Sequence, residues 1–283
     1  MNTGLVLEGG GMRGIFTAGI LDVFMENNIS FDAVIGVSAG AVHGCSYLSG
    51  QKGRSLRYYK KYCNDPRFMS VRSLIKTGDI IGVDFCYHEL PDKLDIYDHD
   101  AFENCGVPFW VVCSNLETGK AEYVRITDMR GQIDYLRASA SLPYVSRIVE
   151  FDNKKLLDGG VCDSIPIGAA RDMGYTRNVV ILTRDPSYQK KPEMTALSKL
   201  VYRKYPRFIK ALHERHLVYN DTLKQISELE RRGEIYVIRP ESPLDIGRLE
   251  SDPDNVQRVY DIGREMGKKH LDSMIKWANN GQA

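Results

Sequence analysis

Three segments of this chain combine residue types and spacings that could do chemistry. Gly36-Val37-Ser38-Ala39-Gly40 follows an apolar run and opens a stretch of small residues. A sharp strand-to-helix turn needs small neighbours, and it pushes a serine hydroxyl out at the carboxyl end of the strand. The bland alternative is a tight turn that merely requires small residues. Gly9-Gly10-Gly11-Met12-Arg13-Gly14 also lies between an apolar run and a helical segment. Glycines let backbone N–H groups face a ligand, and the start of a helix adds its positive end. That builds an anion site, for a phosphate or for a tetrahedral oxyanion. Arg13 either adds a fixed positive charge there or anchors the loop.

A serine hydroxyl needs a base to become a nucleophile. The chain has six histidines. His43 is five residues past Ser38 on the same expected helix, and that offset turns it away. His88 and His99 lie in a polar stretch, His213 and His216 in a basic helical segment, and His270 in a charged C-terminal helix. None occupies a strand end. Asp158 does: it follows Leu156-Leu157 and precedes Gly159-Gly160. Alone, Asp-Gly-Gly is most often a turn. At a strand end, the glycines let the loop approach the serine turn, and burial would raise the Asp158 pKa toward that of a useful base.

The glycine loop also satisfies Gly-x-Gly-x-x-Gly, the dinucleotide fingerprint. A dinucleotide-dependent oxidoreductase is therefore the rival reading. That fingerprint needs an acidic residue at the carboxyl end of the second strand. Asp32 stands before that strand, and Ser38 after it. A Walker loop fails because Ile15 follows Gly14.

These residues must be held by regular elements. Apolar runs at 4–7, 33–37, 109–113, 155–157, 178–183 and 235–239 read as buried strands. Helical segments at Gly14–Glu26, Ala39–Leu48 and near 254–277 alternate with them, which indicates an α/β sheet covered on both faces. Residues 186–234 read as an inserted helical pair broken at Pro206, with a last strand and helix in 235–283. Lys199, Arg203, Lys204, Arg207 and Lys210 alternate there with Leu200, Val201, Tyr202, Phe208 and Ile209. That mixture is read either as a solvated helix or as a peripheral contact with a membrane surface.

Over 283 residues, the formal net charge of +1 gives no global attraction to nucleic acid. No apolar run has the length of a membrane span, and no signal peptide is expected at the N-terminus. The six cysteines form no Cys-x-x-Cys pair, so free thiols, no metal and a cytoplasmic setting are expected.

The glycine loop, the Ser38 turn, Asp158-Gly159-Gly160 and a Pro-ended block at 138–143, in that order, resemble the patatin-like phospholipases. The resemblance runs from Gly4 to about Gly174. It implies a single three-layer α/β/α domain over 1–283, with a mostly parallel sheet. It implies a Ser38–Asp158 dyad, an oxyanion loop at Gly9–Gly14 and no cofactor. The expected reaction is hydrolysis of phospholipid, lysophospholipid or simpler lipid esters, as a phospholipase A or lysophospholipase performs. A non-catalytic lipid-binding protein of the same fold is the third reading. Head group, acyl length and oligomeric state are written in no motif.

Overall fold

The computed structural model of the protein describes residues 2–192 and 196–280; within the inserted segment, 193–195 therefore lie outside the described residues. The chain begins with β1 (Thr3–Leu7), α1 (Gly14–Glu26), β2 (Ala33–Val37) and α2 (Ala39–Leu48). Helices α3 (Arg54–Tyr62), α4 (Val71–Thr77) and α5 (His99–Asn104) follow, with a wide π-helical turn over Phe85–Leu94 before α5. Next come β3 (Phe109–Asn115), β4 (Lys120–Ile126), α6 (Ile133–Ser139), β5 (Val149–Phe151), β6 (Lys154–Asp158), α7 (Ile167–Asp172) and β7 (Arg177–Ile181). The last elements are α8 (Ala196–Val201), α9 (Pro206–Arg231), β8 (Ile235–Ile238) and α10 (Pro253–Asn279).

All eight strands join one sheet, ordered β5-β6-β3-β2-β1-β7-β8, with β4 also on β3. From β3 to β8 the pairs are parallel, and those of β3 with β4 and β6 and of β5 with β6 are antiparallel. Side chains alternate across the pleat. Leu5 and Leu7 therefore join a core with α1, α2, α3 and α10. Val6, Ile35 and Val37 join a second core with α7 and α9 on the opposite face. The result is three layers. Helices α1 and α10 cross at bare backbone: a Cβ on Gly19 would lie 2.3 Å from the Tyr260 carbonyl oxygen, and one on Gly263 would lie 2.1 Å from that of Phe16.

Strands β4 and β5 are not among the apolar runs of the sequence. β4 reads Lys-Ala-Glu-Tyr-Val-Arg-Ile, is mostly half-exposed and has no purely apolar face. Its full-length pairing with β3 has a consequence for the site. With one edge of β3 taken by β4, the other edge is shared by β2 and β6. β2 ends at Val37 opposite Val112, and β6, running the other way, ends at Asp158 opposite Cys113. The two strands meet head to head.

Candidate active site

The meeting point of β2 and β6 brings Ser38 and Asp158 together. The Ser38 hydroxyl donates to Asp158 Oδ2 at 2.7 Å, and both residues are buried. Ser38 sits at φ 53° and ψ −122°. A side chain held in such a sparsely populated region costs about 1–3 kcal/mol, so the surroundings must enforce it. They do so by space and by hydrogen bonds. A Cβ on Gly36 would lie 2.6 Å from the Ala41 Cα, and one on Gly40 would lie 2.5 Å from the Leu7 carbonyl oxygen. Only glycines fit on either side of the turn. Val37 is buried in β2, and Ala39 starts α2. The Ser38 N–H donates to Ser139 Oγ at 2.8 Å, and Ser139 in turn donates to the Val112 carbonyl at 2.7 Å.

Asp158 is held as firmly. Its Oδ1 accepts from the Gly160 N–H at 2.8 Å, and its own N–H donates to the Ser141 carbonyl at 2.8 Å. Gly159 is compulsory, because a Cβ there would stand 2.1 Å from the Val112 carbonyl oxygen. Burial pushes the Asp158 carboxyl above the ordinary aspartate value, opposed by the nearby Arg215 guanidinium and by the bonds from Ser38 and Gly160.

The glycine loop runs alongside. A Cβ on Gly9 would lie 3.1 Å from the Ser38 Cβ, and Gly11 has φ +57°. Gly10 stacks on Thr183, and Gly14 is pressed against Ala39 and His43. Met12 is buried and points into an apolar cavity, whereas Arg13 faces a polar cleft. Glu8, just ahead of the loop, is buried; its carboxylate accepts from Tyr219 Oη at 2.6 Å and from the Thr183 N–H. The loop is thereby tied to Thr183, just past β7, and to α9.

Ser38 stands between two spaces of opposite character. On the α2–α3 side lies a cavity of about 320 Å³, lined by Val42, Tyr59, Phe68, Ile80, Leu90 and Leu136 among others. On the α9 side lies a small polar cleft of about 40 Å³ that includes Asp158 and several basic side chains.

Most histidines are engaged elsewhere. His43 pairs through Nδ1 with Ser55 Oγ at 2.9 Å, and burial pulls its pKa down to about 3. His213 pairs with Ser198, His216 with the His213 carbonyl, and His270 with Tyr236. His88 and His99 line the apolar cavity, a placement their polar stretch of sequence does not reveal. Asp32 accepts from Thr3 N–H and Oγ at the amino end of the sheet, opposite to the glycine loop. That is the wrong place for a ribose ligand. Among the described residues, no group of His, Cys, Asp or Glu is arranged to hold a metal, and no helix is long and apolar enough to cross a membrane. All six cysteines are free.

Sequence reasoning missed Glu8, Thr183, Tyr219 and Arg215. A carboxylate directly between an apolar strand and a glycine loop is a usable signal for Glu8. The other three lie far away in the chain, and no spacing ties them to the site.

A family model described as patatin-like phospholipase matches residues 5–171, and one described as a domain of unknown function (DUF6363) matches 205–279. The uncharacterized protein YjjU of Escherichia coli (strain K12) is 27% identical, over 96% of this chain and 78% of that protein. Neuropathy target esterase sws of Drosophila melanogaster is 24% identical over 99% of this chain, and the chain spans only 20% of it. Lysophospholipase NTE1 of Candida glabrata is 24% identical over 96% of this chain and 16% of its own length. Among solved structures, VipD from Legionella pneumophila aligns with a TM-score of 0.46 at 14% identity, over 96% of this chain and 67% of that one.

Proposed function

The chain belongs to the patatin-like phospholipase family, and on that premise we propose that it hydrolyses carboxylic esters of lipids through an acyl-serine formed on Ser38. One observation carries the reading: a buried hydroxyl, 2.7 Å from a buried carboxylate, opens onto an apolar cavity of about 320 Å³. The volume is within the usual range for small-ligand sites. The acyl chain lies in that cavity, with the ester carbonyl over Ser38.

In the first step Ser38 Oγ bonds to the carbonyl carbon, and its proton passes to Asp158 Oδ2. The oxyanion takes backbone N–H groups of Gly10 and Gly11, next to the positive start of a helix. The tetrahedral intermediate then breaks its bond to the alcohol oxygen, which leaves with the proton from Asp158. In the second step Asp158 takes a proton from water as the water oxygen attacks the acyl-serine, and Ser38 recovers its hydrogen from Asp158 as the fatty acid departs. A raised Asp158 pKa suits both roles, since proton transfer is most effective when base and operating pH are close.

In this reading residues 1–283 act as one catalytic domain of phospholipase A or lysophospholipase type; the yeast relative is named a lysophospholipase and the fly relative an esterase. The fluorophosphonate test is direct. Wild-type protein is expected to be labelled at Ser38, and Ser38→Ala to escape labelling and lose hydrolysis of p-nitrophenyl and lysophospholipid esters. Labelling elsewhere, or full activity in Ser38→Ala, would remove Ser38 as nucleophile.

A further inference from the structure

The polar cleft beside the dyad gathers five cations: Arg13, Arg184, Lys190, Arg215 and Arg248 around the same space as Ser38 and Asp158. Among the described residues, Glu8 and Asp158 are the carboxylates that line it, and both are committed, to Tyr219 with Thr183 and to Ser38 with Gly160. The positive charge of Arg184 and Arg248 is felt at Arg13. Burial, followed by repulsion from Arg184 and then Arg248, pulls Arg13 down to about 10, even with Glu8 acting the other way. A cleft lined by one sign of charge between low-dielectric walls concentrates its field on whatever enters.

The cleft and the apolar cavity share Gly11, Ser38, Leu142 and Arg248. An ester with its acyl chain in the cavity and its carbonyl at Ser38 must therefore send its alcohol portion toward the cations. The two aromatic rings of the cleft are already faced by cations, Tyr188 by Arg184 at 4.1 Å and Tyr219 by Lys190 at 4.7 Å. Each ring thus already has a protein cation where a quaternary ammonium would compete for it.

Arg184, Lys190, Arg215 and Arg248 all follow the residues 5–171 matched by the family model, and two of them fall within the 205–279 match to a domain of unknown function. Resting on the ester-hydrolase reading above, we infer that this C-terminal part builds the alcohol side of the active site and selects esters whose head group is a net-negative phosphate. Arginine suits that task, because its planar fork meets phosphate oxygens in pairs.

Binding to Ser38→Ala protein tests this without any turnover. The probes are lysophosphatidic acid, lysophosphatidylcholine and monoacylglycerol of one acyl chain, each as monomers, and glycerol 3-phosphate. Lysophosphatidic acid is expected to bind at least about tenfold more tightly than either other lipid, an advantage that shrinks with salt. Adding Arg248→Gln, at an exposed position, and Arg184→Gln is expected to cut that advantage about tenfold. Arg248→Gln alone is the milder variant should the pair disturb folding. Equal binding of the three lipids, or an unchanged preference in both variants, overturns the inference. Glycerol 3-phosphate binding as tightly as the lysolipid would make the cleft a free-phosphate site and overturn the head-group assignment. Wild-type turnover separates the two readings: a binding preference without cleavage of any ester sinks the hydrolase and leaves the cleft, and cleavage without preference does the reverse.

Discussion

Asp158→Asn tests the proposed base with almost no change in shape. Its consequence follows from two hydrogen bonds. Asp158 Oδ1 receives the Gly160 N–H at 2.8 Å, and Oδ2 receives the Ser38 hydroxyl at 2.7 Å. In the variant one of these atoms becomes an NH₂ group. Turned toward Gly160 it would set donor against donor in a buried site, at about 1–3 kcal/mol. The asparagine therefore keeps its oxygen on Gly160 and turns NH₂ toward Ser38, which cannot give it a proton. General-base catalysis contributes about 10²–10⁴-fold, or roughly 3–5 kcal/mol of barrier. The expected result is a fall in kcat of about a thousandfold, with KM little changed. Stability should move the other way or stay put. The folded-state pKa of Asp158 lies above its unfolded value, so the fold prefers the protonated form, and ionisation at neutral pH weakens it. A neutral asparagine escapes that penalty, and Tm at neutral pH should not fall. Kinetics on p-nitrophenyl butyrate beside thermal melts give both numbers. In the wild type, activity should rise with pH as Asp158 ionises, through an apparent pKa above that of an ordinary aspartate. A folded Asp158→Asn enzyme retaining more than about a tenth of wild-type kcat would refute the dyad.

Ser139→Ala leaves the buried Ser38 N–H and Val112 carbonyl without their partner; a loss of about 2–4 kcal/mol is expected, read as a lower denaturation midpoint, together with reduced kcat. Replacing His88, His99, His213, His216 or His270 singly by Gln should leave most of the activity, as should EDTA, and a thousandfold loss in any one folded variant would restore a histidine base. His43, held neutral with a pKa of about 3, makes the fold lose stability as pH falls below the ordinary histidine value, so acid denaturation should shift to lower pH in a folded His43→Gln variant. On α8, Leu197, Leu200 and Val201 are 49%, 72% and 49% exposed beside basic residues, so Lys204→Gln, Arg207→Gln and Lys210→Gln together should reduce hydrolysis in anionic vesicles more than in detergent micelles. Equal losses on both would indicate a folding or active-site effect instead, and no loss on either would return that face to plain solvation.

The strands of the parallel core were legible because both their faces are buried, which leaves continuous apolar runs such as Ala33–Val37. β4 was not, because Lys120 and Arg125 point to water from an edge and its apolar residues are shared between two half-covered faces. Ser38, Asp158 and the glycine loop were legible because each is forced by backbone crowding that only glycine relieves, and such crowding leaves a written trace. The cations of the cleft leave none. Arg215 is one charged residue on a long helix whose inward stripe of Phe208, Leu212, Tyr219 and Ile226 looks like ordinary packing. Its meaning depends on where that helix lies against Gly160, whose carbonyl it reaches through Nε.

The head-to-head meeting of β2 and β6 on one edge of β3 makes the distance between Ser38 and Asp158 a property of a strand, not of a loop. Val112 and Cys113 are consecutive residues, and they set the two ends. Loops elsewhere are therefore free to lengthen, shrink or be exchanged without disturbing that distance. A single residue inserted within Phe109–Asn115 has no such freedom: it displaces one partner by a strand step of about 3.3 Å and turns the following side chains to the other face. Insertional scanning should find the catalytic centre brittle at β3 and forgiving around it, which makes the C-terminal segments the natural place to graft a new specificity.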